Sequence, residues 1–362
     1  MKMHLTRREM IKAMSAAALS SALHPISAVG NEERTQDAVD LLQRHPSIDL
    51  HCHPGMFPRR GHADHPGDDF ARRTVADMHE GNMWGGFFSL IGDSVLLERG
   101  PEGISVNRGF EPGEGWTLYQ KQLADLQWLL SELPAGEAHT ADDVRTLHEN
   151  GSIAAYVGCE GAHILEGQVA RVEEMYGDGV RLLQLMHYAQ NDLGDLQTLD
   201  PVYNGLSPFG RDVVREMNRL GMVIDVAHAS FEAVVDVAEI SSHPMVLSHS
   251  QLKFGDKQHP RLLEPEHAKA IADNGGVIGM WPSGFGNDSM QDFIDNTMRL
   301  IDLIGIDHVG LGTDMDGNYQ PVFDNYRQQP EWVAGLLVKG LNEGEVAKVI
   351  GGNALRVIGQ VI

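Results

Sequence analysis

Five histidines and two acids in this 362-residue chain stand at the ends of short apolar runs: His51, His53, Glu160, His187, His228, His249 and Asp314. A single histidine in such a place is usually structural. Seven groups converging on one rim are different, because a buried polar group costs free energy unless it is paired or metal-bound. In Ile48-Asp49-Leu50-His51-Cys52-His53, the two-residue spacing turns both imidazoles to one side of a strand, where they can hold one cation. Cys52 then faces the other way, and Cys159 is out of phase with Glu160. Nitrogen and oxygen donors without thiolate favour zinc and admit manganese or iron. One cation would need only three of these residues and a water. The supply suits two cations sharing a carboxylate, a pair about 3.5–4 Å apart that holds a bridging hydroxide.

The runs that carry these residues are 46–53, 84–93, 153–160, 180–187, 222–228, 245–250, 276–281 and 308–314. Each is rich in Val, Ile, Leu or Met without strict alternation, the pattern of strands buried on both faces. Amphipathic stretches at 210–220, 231–240, 264–274 and 290–303 lie between them, several closed by a glycine such as Gly221, Gly275 or Gly305. Eight strands with helical crossovers predict an α/β fold, a (β/α)8 barrel of the TIM type with its active site at the C-terminal strand ends. The gap from 93 to 151 exceeds a single crossover. A polar loop at 101–115 and helices at 117–133 and 140–149 read as an insertion after the second strand, and 343–362 as closing helices. The two cysteines fall on the first and third strands, so two free buried thiols are expected rather than a disulfide.

Residues 1–30 read as an export signal and 31–362 as a single barrel domain. Thr6-Arg7-Arg8-Glu9-Met10-Ile11-Lys12 resembles a twin-arginine signal, followed by small apolar residues and a cleavage site at Ala28-Val29-Gly30. That predicts a periplasmic protein, exported folded with its metal loaded. The formal charge of −23 argues against nucleic-acid binding. No apolar run approaches the ~20 residues of a membrane span.

Taken in order, the motifs resemble the membrane dipeptidase (renal dipeptidase) family of the amidohydrolase superfamily, over nearly all of the chain after the signal. They are IDLHCHPG, VGCEGAH, LLQLMHYAQND, GLSPFGRDVVREMNRLGMVIDVAHAS, VLSHSQ, HPRLL, NGGVIGM, GLGTDMDG and GGNALRVI. The resemblance implies that His51 and His53 bind one metal, His228 and His249 a second, and Glu160 bridges them. It implies that His187 contacts substrate and the developing oxyanion, Arg261 meets the substrate's C-terminal carboxylate, and Asp314 handles protons. It also suggests a homodimer. One departure stands out: the family usually has Asp where His53 stands, and the imidazole raises the net charge of the site by one. Many amidohydrolase relatives bridge their metals with a carboxylated lysine. None of the eight lysines here ends a strand, which leaves Glu160 as the bridge.

The expected activity is hydrolysis of the amide bond of dipeptides, including those with a C-terminal D-residue, by the bridging hydroxide. Two rivals are an amidohydrolase acting on N-acyl amino acids, lactones or cyclic amides, and a non-catalytic periplasmic metal or peptide binder. Asp316 and Gly317 read as turn residues, and Asn191 and Asp192 as either substrate contacts or loop caps. His62 and His65 read as solvent-exposed and His163 as packing behind Glu160. Asp49 and Asp225 read as partners that orient the ligands, and 331–339 as a packed helix.

Overall fold

The computed structural model describes residues 28–100 and 103–362. The expected export signal therefore lies outside the described residues, apart from positions 28–30 at the start of helix Ala28–Arg44. The strands in chain order are β1 (Ile48–Cys52), β2 (Gly85–Ile91), β3 (Leu97–Gly100), β4 (Gly103–Val106), β5 (Ala135–Glu137) and β6 (Ile153–Glu160). They continue with β7 (Val180–Gln184), β8 (Val223–Asp225), β9 (Val246–Ser250), β10 (Val277–Met280) and β11 (Val309–Leu311). β1, β2 and β6 to β11 pair in parallel, and the β2–β6 pairing closes them into an eight-stranded barrel. All eight expected strands are present, and β5 adds a short pairing beside the start of β6.

The helices form where the sequence supplies starts and stops. In helix Pro208–Leu220, Ser207 accepts the amide of Gly210, proline occupies the first turn, and Gly221 at φ +76° ends it. Ser230 and Ser289 cap Phe231–Ile240 and Met290–Ile304 in the same way. The large core packs between strands and helices and contains Cys52 and Cys159, both free thiols. A smaller cluster joins inward residues such as Leu50, Phe87, Tyr156 and Leu182 to Val357 and Ile358 of the C-terminal helix Asn353–Val361. That helix plugs the barrel end opposite the site, as expected of a closing segment. Gln329–Val338 is the expected packed helix, with Trp332 and Val333 buried.

The insertion differs from its expectation in one respect. Helices Glu114–Glu132 and Asp143–Glu149 are there, but part of the stretch read as a polar loop is the antiparallel ribbon β3–β4.

Helix Pro265–Asp273 buries His267 against the edge of Phe231, with its Nε2 unpaired. Burial, helped by Arg261 and Lys253, pushes the imidazole down to about 4. An unfolded histidine titrates near 6.5, so the neutral ring contributes stability above that pH that is lost as pH falls towards 4. From pH 7 to 4.5 the loss is about 2 kcal/mol. His267→Phe should shrink the fall in urea-unfolding free energy between these two pH values by that amount. An unchanged fall would show that the imidazole protonates freely in the folded protein.

Candidate active site

The barrel brings the strand-end residues to one rim. Glu160, the last residue of β6, is 3% exposed and stands at the centre. Its Oε1 lies 3.5 Å from His51 Nε2, 3.4 Å from His228 Nε2, 3.7 Å from His249 Nε2 and 3.3 Å from His187 Nε2. Its Oε2 lies 3.3 Å from His53 Nε2. Burial raises the Glu160 carboxyl, but His187, His51 and His228 outweigh it and hold the group well below its ordinary range.

The imidazoles come in two pairs. His51 and His53 bring their Nε2 atoms to 3.1 Å, as do His228 and His249. His53 Nδ1 donates to the carbonyl of Ser89, which can only accept, so its Nε2 presents a lone pair. Ser89 Oγ meets His51 Nδ1 at 3.3 Å and Ser248 Oγ meets His249 Nδ1 at 2.9 Å. Burial first, then Arg261 for His228 and His51 for His249, holds these two rings well below the usual histidine range. Both rings are therefore neutral, the form in which an imidazole can bind a cation. Burial lowers His51, but Glu160, with Asp314 and Asp225, outweighs it and holds the ring up to about 9, so a cation would displace its proton.

These donors fit a pair of divalent cations. Two nitrogens at about 2.0–2.1 Å from a tetrahedral zinc sit roughly 3.3 Å apart, close to the spacing of both pairs. His51, His53 and Glu160 form one cluster with donor atoms within 4.8 Å of one another, and Glu160, His228 and His249 form the other.

Backbone irregularities aim these side chains. Asp49 Oδ1 accepts the amide of His51 two residues on, where the β1–β2 register shifts. The shift lets Leu50 point into the barrel core while His51 and His53 both reach the site. Asp225 Oδ1 accepts the amides of Ala227 and Ser248 in a similar way. Asp49 and Asp225 thus hold the backbone at the strand ends that carry these histidines, through amides rather than imidazoles. His228 and Asp314 are left-handed, at φ +68° and +53°. Gly317 completes that turn: a Cβ there would stand 2.6 Å from Asp314 Oδ1 and 2.9 Å from His53 Cδ2.

Asp314 Oδ1 lies 3.6 Å from His53 Nε2, and its Oδ2 accepts from Trp281 Nε1 at 3.3 Å. Burial raises its carboxyl. Asp316 is a turn residue, as expected, and accepts from Gly55 N and Thr74 Oγ1. Asn191 caps its own loop through Leu185 O and Leu193 N. His163 is buried and donates to Ala189 O, whereas His62 and His65 are half-buried. Arg261 lies just behind the cavity wall, against Trp281 and His249, which line it. It is 1% exposed, with its guanidinium 5.3 Å from the Trp281 ring. Nη1 donates to Gln197 Oε1 and Nη2 to His249 O, and Nε has no partner.

Asp93 is the functional residue that sequence reasoning missed. It is fully buried, and its Oδ1 accepts from His187 Nδ1 at 2.5 Å. Its Oδ2 accepts the amides of Tyr188 and Ala189. Burial raises this carboxyl, but His187, with His163 and the amide of Ala189, outweighs it and brings it down to about 2. Asp93 ended one of the strand runs and so shared the signal that selected Glu160.

The sequence profile described as "Membrane dipeptidase (Peptidase family M19)" matches residues 35–362. The chain belongs to that family. Among curated relatives, it is 34% identical over 233 residues to Dipeptidase tcpJ of Claviceps purpurea, covering 62% of this chain and 55% of that one. It is 31% identical over 233 residues to Dipeptidase verJ of Clonostachys rogersoniana, covering 62% and 60%. The matches thus span little more than half the length of these relatives. The fold is shared with the probable dipeptidase PvdM from Pseudomonas aeruginosa (TM-score 0.77, 22% identity, 91% of this chain and 98% of that one). It is also shared with a metallopeptidase from Rhodobacter sphaeroides liganded with a phosphinate mimic of L-Ala-D-Ala (TM-score 0.74, 20% identity, 88% and 99%).

Because Asp93 fixes the ring of His187 and bonds none of the candidate metal ligands, Asp93→Asn should lower kcat about 10²-fold or more and leave metal content intact. In a His187→Gln background the same change should alter kcat less than twofold. Equal losses in both backgrounds would mean that Asp93 supports the fold and not His187.

Proposed function

We propose that the protein is a binuclear metal-dependent dipeptidase. The observation that carries this reading is one buried carboxylate, Glu160, shared between two imidazole pairs beside a cavity of about 660 Å³. His51, His53 and Glu160 would hold one divalent cation, and Glu160, His228 and His249 the other. The donor set suits zinc. Such a pair supplies Lewis acidity and an activated water when bound.

The chain's own residues do the rest. Asp314, its Oδ2 fixed by Trp281, takes up a proton and delivers it to the leaving amine nitrogen. His187, kept protonated on both nitrogens by Asp93 and Glu160, donates from Nε2 to the carbonyl oxygen as negative charge develops there, a contribution of about 3 kcal/mol for a good donor. Arg261 attracts the free carboxylate of a dipeptide to its side of the cavity; its buried charge, with no carboxylate paired to it among the described residues, supports that role. The Rhodobacter structure's L-Ala-D-Ala mimic supports dipeptides with a C-terminal D-residue as substrates. Export to the periplasm rests on the twin-arginine-like segment Thr6–Lys12.

Asp314 has a proton-transfer role and no indispensable metal bond in this reading. Asp314→Asn should keep both metals and the KM while kcat falls about 10²–10⁴-fold. Metal content and kcat are measured on one preparation, with L- and D-terminated dipeptides beside N-acyl amino acids as substrates. Loss of a metal in step with activity would make Asp314 a ligand, and turnover of N-acyl amino acids alone would replace the dipeptidase reading.

A further inference from the structure

The cavity over the centre has two unlike walls. One is the polar ring of His53, Glu160, His187, His228, His249 and Asp314. The other is apolar: Met56, Phe70, Ile91, Leu97 and Ile104. These five come from separate elements, namely the turn Pro54–Arg59, helix Asp68–Glu80, the end of β2, and the ribbon β3–β4. Leu97 pairs with Val106 across the ribbon, so Leu97 and Ile104 share one face, the face that meets the cavity. The cation of this wall, Arg59, is already committed to Ser94 O and to both carboxylate oxygens of Asp64. The volume, about 660 Å³, belongs to sites for drug-sized ligands and exceeds what two small residues fill.

The barrel order gives this wall a direction. It is built on the loops after β1 and β2, whereas Arg261 follows β9, which stands diametrically opposite β2 in the ring of eight strands. A dipeptide whose carboxylate points towards Arg261 turns its N-terminal residue to the apolar wall. We propose that Met56, Phe70, Ile91, Leu97 and Ile104 form a subsite for a bulky apolar side chain on the N-terminal residue of the substrate. The proposal rests on the dipeptidase reading.

The test uses the full-length, metal-loaded protein and two series of dipeptides, X-Ala and Ala-X, with X as Ala, Leu or Phe. kcat/KM for Phe-Ala and Leu-Ala should exceed that for Ala-Ala at least tenfold, with no comparable gain for Ala-Phe. Leu97→Ala with Ile104→Ala should cut the Phe-Ala to Ala-Ala ratio about tenfold. Phe70→Ala, on a separate helix, should cut it as well and does not depend on the ribbon keeping its shape. A flat X-Ala series, a gain confined to Ala-X, or a ratio unmoved in both variants overturns the subsite and leaves the dipeptidase reading standing. Hydrolysis of no dipeptide at all overturns both.

Discussion

A carboxylate with almost no access to water, surrounded by five imidazoles, sets the terms for the rest of this molecule. Glu160 could not stay ionised in so dry a place without those neighbours, and the neighbours would repel one another if protonated together. Divalent cations would resolve the conflict. They would hold the carboxylate ionised and the imidazoles of His51, His53, His228 and His249 neutral, and so would couple folding of the rim to metal loading. The outer partners follow from the same need. Ser89 and Ser248 meet the Nδ1 atoms of His53, His51 and His249, which turns their Nε2 atoms to one point.

The barrel supplies convergence but not aim. Strand residues alternate with strict period, and a ligand pair on consecutive inward positions would displace the core beneath it. Asp49 and Asp225 solve this by capturing backbone amides two residues ahead and bending the strands at the rim. The left-handed His228 and Asp314 do similar work after β8 and β11. Such conformations cost free energy and persist where the surroundings over-determine them. Here a network of carboxylates to backbone and to Thr313 and Tyr326 provides that support.

Much of this was legible in the sequence because strands buried on both faces announce themselves as apolar runs, and a polar residue ending such a run is conspicuous. That reasoning placed His51, His53, Glu160, His187, His228, His249 and Asp314 at one rim. It could not see the bend in β1, because the cause is a side chain folding back on its own backbone. It passed over Asp93, whose partner His187 lies 94 positions away in the chain. It left the ribbon unread, since Leu97–Val106 is broken by Gly100-Pro101-Glu102-Gly103 and reads as a loop. Resemblance alone points to Arg261, which packs behind Trp281 and His249, where no spacing argument would put it.

The central claim is that one carboxylate serves two cations. Metal content of Glu160→Gln, measured by elemental analysis after dialysis against metal-free buffer, tests it most directly. Glutamine keeps the shape and removes the charge, so the account predicts a folded barrel that has lost both cations together. A folded variant that retains one full equivalent would contradict it, because Glu160 would then belong to a single site.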